Sequence, residues 1–184
     1  MLLSNQIRHV LLDRDGVINR KRAEGQYVSR WEDFDILPGV ERAIAHLNAT
    51  GRTVIVISNQ RGIALGLYTS EQVDELHAQL QRHLAAHGAR IDRFYYCPHD
   101  EGQCNCRKPH PGLIEQAFRD FPSASPESSL LIGDSLSDLQ AAKAVGMPSI
   151  FIDSQSDNRK PGADKAVQLA DAVADCLMGA VLKL

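Results

Sequence analysis

The chain has 184 residues, 43% apolar and 23% charged, with a net charge of −3 at pH 7. This length supports one domain with a full core, and the near-neutral balance argues against nucleic acid or an anionic membrane surface as partner. The apolar runs fall far short of the ~18 residues of a membrane span, and Met1-Leu2-Leu3-Ser4-Asn5-Gln6 is too short and polar for a secretory signal, so the expected compartment is the cytoplasm.

Short apolar runs alternate with amphipathic segments. Residues 7–12 read as a buried strand that ends on Asp13-Arg14-Asp15-Gly16. The long irregular segment 19–37 comes next. Residues 38–50 predict a helix, with Pro38 at its first position, Val40, Ala43, Ile44 and Leu47 on one face, and Gly51 just past its end. Thr53-Val54-Ile55-Val56-Ile57 is β-branched and continuously apolar, as in a parallel strand covered on both faces. Thr69-Ser70-Glu71-Gln72 is a capping-box pattern, and Val73, Leu76, Leu80 and Leu84 carry the helix on toward Gly88. Arg93-Phe94-Tyr95-Tyr96 predicts a third strand, Pro111 to about Asp120 a helix, and Leu130-Leu131-Ile132 a fourth strand. A helix over about 136–145, a strand over 148–152, a polar loop from Asp153 to Gly162 and a last helix over about 165–180 complete the chain.

This alternation implies βαβ units and a doubly wound parallel α/β sheet, over a single domain spanning 1–184. Ligands of such sheets bind beyond the strand carboxyl ends. Asp13, Ser58, the cysteine-rich loop and Asp134 each come directly after a predicted strand, so they share one edge.

Asp13 and Asp15 sit at i and i+2. Two such carboxylates repel unless a cation intervenes, and Mg2+ on Asp13 serves that purpose. Asp13 then suits the nucleophile in phosphoryl transfer and Asp15 the acid/base. The same pair fits an Asx turn closing a strand. Ser58-Asn59-Gln60 offers a hydroxyl and N–H groups to phosphate oxygens, or is a polar strand exit. Arg107-Lys108 offers two cations to a phosphoryl group, or is a solvated basic pair. Asp134 suits a Mg2+ ligand and Asp138 an acceptor behind it, or both cap the next helix.

Cys97, His99, Cys104 and Cys106 form a Cys₃His set within loop 97–106. Such a set suits closed, structural Zn2+ rather than Mg2+, with a loop of reduced thiols as the plainer reading. Zinc there would preorganise Arg107 and Lys108. His9 reads as a core-edge residue, His46, His77, His83 and His87 as surface, and Cys176 as a small buried residue of the last helix. Trp31 and Phe34 either pack segment 19–37 down or wall the substrate.

Taken together, the four strand-end pieces resemble the motifs of the haloacid dehalogenase-like (HAD) phosphohydrolases. That resemblance implies catalytic roles for Asp13, Asp15, Ser58 and Lys108, with Mg2+ on Asp13, the Asp15 main-chain carbonyl and Asp134. Cys97-Pro98-His99 and Cys104-Asn105-Cys106-Arg107-Lys108-Pro109-His110-Pro111-Gly112 are similar to the zinc-bearing branch of heptose bisphosphate and histidinol phosphate phosphatases. This implies a minimal, loop-type cap and a small sugar phosphate substrate, with heptose 1,7-bisphosphate cleaved at C7 ahead of histidinol phosphate. A non-catalytic zinc-stabilised binding module is the alternative of another class. Substrate contacts implied by the branch are Glu24, Gly25, Gln26, Tyr27, Asn59, Gln60, Arg61, Arg107 and Ser135. Segment 19–37 is the expected specificity loop, and Arg20, Lys21 and Arg22 are candidates for a second phosphate. The partner is then a small phosphate ester, with no nucleic acid and no membrane, and the protein a monomer.

Overall fold

The computed structural model describes residues 6–23, 25–153 and 162–184. Glu24, the first five residues and most of the polar loop after Asp153 lie outside them. The continuous apolar runs become the inner strands of the sheet, buried on both faces, while the two edge strands are partly exposed. The strands are β1 (His9–Leu12), β2 (Thr53–Asn59), β3 (Arg93–Cys97), β4 (Ser129–Gly133), β5 (Ser149–Ile152) and β6 (Ala172–Ala174). They pair in parallel in the order β3-β2-β1-β4-β5-β6, with His9 opposite Thr53 on one side and Ser129 on the other. Side-chain alternation divides each run between two cores. Val10, Leu12, Val54, Val56, Leu130 and Ile132 enter one, while Leu11, Ile55, Ile57 and Leu131 enter the other.

Helices α1 (Val40–Ala49), α2 (Ser70–Ala86) and α6 (Leu177–Val181) cover the first face. Helices α3 (Gly112–Asp120), α4 (Leu136–Ala144) and α5 (Ala163–Leu169) contribute to the other side. The expected capping box at α2 is present: Thr69 Oγ1 accepts from the Gln72 N–H, and Gln72 Oε1 from the Thr69 N–H. Helix α1 starts at Val40 rather than Pro38, because Gly39 adopts φ +82° and takes the N-cap position. Among the described residues no helix is long and apolar enough to cross a membrane.

Three readings are corrected. The single last helix is instead α5, β6 and α6. Its Ala-rich sequence suits a helix, but Ala172–Ala174 finds the open edge of β5, and pairing across Ile150–Ile152 prevails over propensity. Asp171 secures the break: its N–H donates to the Ser149 carbonyl (3.0 Å), and its Oδ2 accepts from the Ser149 N–H (2.8 Å). Cys176 is exposed and caps α6, its Sγ accepting from the Gly179 N–H. His77 is buried, stacked on Phe94 with centroids 4.4 Å apart. It lies four residues after Val73 and three before Leu80, and so falls on the apolar stripe of α2.

Because Ser149 is buried, Asp171→Ala strands its N–H. The variant is expected to lose about 1–3 kcal/mol of stability by urea denaturation.

Candidate active site

The chain leaves β1 outward to β2 and β3, then returns to lay β4 along the other side of β1. A parallel sheet opens a crevice at such a reversal, and the two strands beside it lead directly into Asp13 and Asp134.

Asp13 is 7% exposed. Its Oδ1 accepts from the Arg14 N–H (2.8 Å) and from Lys108 Nζ (2.9 Å). Lys108, 3% exposed, also donates to the Ile57 carbonyl (2.9 Å) and lies 2.6 Å from Asp138 Oδ1. Burial alone would lower the ammonium pKa, but the charges of Asp13 and Asp138 outweigh it and raise the pKa, so the cation is retained. The start of α4 fixes Asp138, whose Oδ2 accepts from the Ser135 N–H (3.0 Å) and hydroxyl. Asn59 fixes the Lys108 backbone from both ends: its Oδ1 accepts from the Lys108 N–H and its Nδ2 donates to the Lys108 carbonyl, each at 3.0 Å.

Carboxylate oxygens of Asp13, Asp134 and Asp138 lie within 4.8 Å of one another. One ammonium among three carboxylates leaves surplus negative charge in an all-oxygen set, the environment a hard divalent cation prefers. Gly16 makes room for it. At φ +98°, a Cβ there would fall 1.9 Å from Asp134 Oδ2.

Asp15 faces a separate set of donors. Arg14 Nη2 reaches both its oxygens (3.1 and 3.0 Å), Asn19 Nδ2 its Oδ1 (2.9 Å) and Gln60 Nε2 its Oδ2 (3.2 Å). Burial would raise the Asp15 pKa, but Arg14, Asn19 and Gln60 outweigh it and hold the carboxyl below its ordinary value. Gln60 also donates to Ser58 Oγ (2.7 Å) and accepts from the Tyr68 hydroxyl (2.8 Å), so its amide orientation is determined. Tyr68, pushed up to about 12 chiefly by burial, remains a donor. Arg14 is 1% exposed, with its guanidinium 5.7 Å from the Phe34 ring centroid and Nη2 3.4 Å from the Val28 carbonyl. It thus ties Asp15 to segment 19–37.

The cysteine loop leaves the end of β3. Cys97 Sγ is 3.4 Å from Cys104 Sγ and 3.0 Å from Cys106 Sγ, and His99 Nδ1 lies 3.6 and 3.4 Å from Cys97 and Cys106. Burial would raise the Cys104 thiol, but hydrogen bonds from Cys106 and the Arg107 N–H bring it down to about 6. The loop packs tightly on α3, where a Cβ on Gly112 would meet the Asn105 carbonyl at 2.4 Å.

The family model for HAD-hydrolase-like proteins matches residues 105–180. The D-glycero-alpha-D-manno-heptose-1,7-bisphosphate 7-phosphatase of Mycobacterium bovis is 45% identical over 137 residues, covering 74% of this chain and 72% of that one. The D-glycero-beta-D-manno-heptose-1,7-bisphosphate 7-phosphatase of Vibrio cholerae is 34% identical over 176 residues, 91% of each chain. The chain belongs to the HAD-like heptose-bisphosphate phosphatase family. A crystal structure of D,D-heptose 1,7-bisphosphate phosphatase from B. bronchiseptica, complexed with magnesium and phosphate, superposes with a TM-score of 0.83 at 29% identity, covering 96% of this chain and 97% of that one.

In this HAD-like phosphatase an open cavity of about 340 Å³ adjoins Lys108, lined also by Asn59, Glu101, Arg107, His110 and Ser137. Of the predicted substrate contacts, Asn59 and Arg107 line it. Ser135 stands behind Ser137, its hydroxyl 2.9 Å from that of Ser137. Gln60 is buried against Asp15, and Arg61 pairs with Asp100. Gly25 and Gln26 are exposed, while the Tyr27 ring lies 5.9 Å from that of Tyr68. Arg20 pairs with Asp35 (2.7 Å) and Arg22 with Asp33 (3.3 Å), so both cations are engaged within their own loop. Phe34 is buried and stacked on Trp31 at 5.5 Å, the reading in which these rings pack the loop down. Sequence reasoning misses Arg14, Asn19 and Tyr68 as site residues; a basic residue set between the two strand-end aspartates is the available signal for Arg14.

Replacing Arg14 with Met removes the charge that holds Asp15 ionised. The Asp15 carboxyl titration, followed by ¹³C NMR, should move to higher pH. As pH falls below the ordinary carboxylate range, the wild type loses the stability contributed by ionised Asp15, whereas Arg14→Met has little of it to lose.

Proposed function

We propose that this chain is a Mg2+-dependent phosphatase that removes the 7-phosphate of D-glycero-D-manno-heptose 1,7-bisphosphate through an aspartyl-phosphate on Asp13. The observation that carries the proposal is the convergence of Asp13, Asp134 and Asp138 around buried Lys108 at the sheet's reversal, in a chain whose relatives bear that name. Mg2+ would be held by Asp13, Asp134 and the Asp15 main-chain carbonyl, offsetting the surplus negative charge and drawing charge from the phosphoryl oxygens.

An Asp13 carboxylate oxygen attacks phosphorus in line, and the bond from phosphorus to the C7 oxygen breaks. Asp15 gives that oxygen its proton. The donors around Asp15 keep it ionised at rest, so its proton is taken up with substrate, when a negative phosphate beside it raises its proton affinity. Asp15, again a carboxylate, then takes a proton from water as the water oxygen attacks phosphorus. The bond from phosphorus to Asp13 breaks, returning the Asp13 carboxylate and releasing inorganic phosphate. Lys108 holds the Asp13 carboxylate in place through their ion pair and offers positive charge to the phosphoryl group. Ser58 accepts from Gln60, which leaves its own O–H to donate to a phosphoryl oxygen. Asn59 positions Lys108, and Arg107 faces the cavity where the rest of the substrate sits.

Zn2+ would be held by Cys97, His99, Cys104 and Cys106 in a structural role. The converging sulfur and nitrogen atoms support this, and the Arg107 N–H bound to Cys104 Sγ connects the loop to the phosphate-binding cations. Reduced thiols gathered at such a site support a cytoplasmic enzyme.

With Mg2+ present, kcat/KM for heptose bisphosphate, each anomer assayed separately, is expected to exceed that for histidinol phosphate by at least about tenfold; an equal or reversed ratio would overturn the heptose assignment. Asp13→Asn should keep its fold by circular dichroism and lose on the order of 10⁴-fold in turnover. Cys104→Ser should lose zinc by elemental analysis and about 10–100-fold in kcat as Arg107 and Lys108 shift. Retained zinc would remove Cys104 from that site.

A further inference from the structure

Outside both clusters described above, Glu41 on α1, His83 in the last turn of α2 and His87 at its C-cap turn ligand atoms toward one another, all within 4.8 Å. The i, i+4 spacing places both imidazoles on one helical face, with ring centroids 4.6 Å apart. Glu41 reaches across from the neighbouring helix, its Oε1 3.0 Å from His83 Nε2. That separation matches two adjacent ligands on a metal with bonds of about 2.1 Å. His87 Nδ1 lies 2.9 Å from the His83 main-chain carbonyl. A carbonyl only accepts, so Nδ1 donates in this contact, and Nε2 is the ring nitrogen it leaves unused. Metal-ligating histidines are characteristically held this way, with the other ring N–H on a carbonyl.

We propose that Glu41, His83 and His87 form a second metal site, specific for borderline divalent transition ions such as Zn2+, Ni2+ or Cu2+. Two imidazoles and one carboxylate give a donor set that prefers these ions over Mg2+ and leaves coordination positions open to water. His87 is exposed, which gives the ion a path of entry. The site also touches segment 19–37: the Trp31 ring lies 5.7 Å from that of His83. An ion here therefore joins α1, α2 and the loop that Arg14 connects to Asp15.

Trp31 is the chain's single tryptophan and serves as the reporter. Untagged full-length protein, with the cysteine loop already loaded with Zn2+, is titrated with Ni2+ in the presence of Mg2+. Saturable quenching of Trp31 emission at one equivalent is expected. His87→Ala alters an exposed side chain and should weaken the Ni2+ affinity by about tenfold or more, since loss of a supporting contact alone costs 10–100-fold. Glu41→Gln should weaken it in the same direction. Absence of saturable quenching, or quenching unchanged in His87→Ala, would overturn the proposal. So would quenching that persists in His87→Ala but disappears in Cys104→Ser, which assigns the ion to the cysteine loop.

Discussion

The site depends on one buried ammonium. Lys108 Nζ has Asp13 Oδ1, Asp138 Oδ1 and the Ile57 carbonyl within 3 Å. Withdrawing such a charge from water costs several kcal/mol, and only close opposite charges with correct geometry offset that cost. The surrounding architecture provides them from four parts of the chain. β1 delivers Asp13, β2 the Ile57 carbonyl, the loop after β3 the lysine itself, and the first turn of α4 Asp138. A displacement of any one leaves a buried charge incompletely paired, so the geometry of Asp13 is stabilised by the same interaction that stabilises the fold.

Two supports act on Lys108 and Asp15 from outside this cluster. Asn59 grips both the N–H and the carbonyl of Lys108, while Cys104 accepts from the N–H of the residue before it. Arg14 lies between Asp15 and Phe34, so packing of segment 19–37 is felt at the Asp15 carboxylate. The loop in turn closes on itself through Arg20–Asp35 and Arg22–Asp33. Exposed pairs of this kind contribute little individually. Their effect is to commit both arginines to loop geometry.

The strand-end aspartates, the lysine and the cysteine loop were legible in the sequence. Strands with two buried faces read as continuous apolar runs, and the polar residues at their carboxyl ends all fall on one edge of the sheet. Cys₃His spacing is local and survives folding unchanged. The residues that escaped were set by tertiary contact. Arg14 lies between two candidate catalytic residues, yet only the packing of Val28 and Phe34 shows that it points inward to Asp15. Tyr68 reaches the site through Gln60, a link between side chains eight positions apart that no periodicity encodes. His77 could have been found, since its spacing from Val73 and Leu80 fits the apolar stripe. β6 could not, because its composition favours a helix and only the free edge of β5 makes it a strand.

The sheet order carries a consequence for biosynthesis. β1 and β2 are complete once the first 59 residues have emerged, but the other side of β1 waits for β4 at Ser129–Gly133. Until then the nascent chain holds an apolar strand with one unpaired edge, and Asp13 stands beside it without the two carboxylates it later adjoins. The chemical centre is therefore among the last things to form. A truncated or stalled chain carries Asp13 with no carboxylate cluster around it, and an open β1 edge to be shielded from other chains.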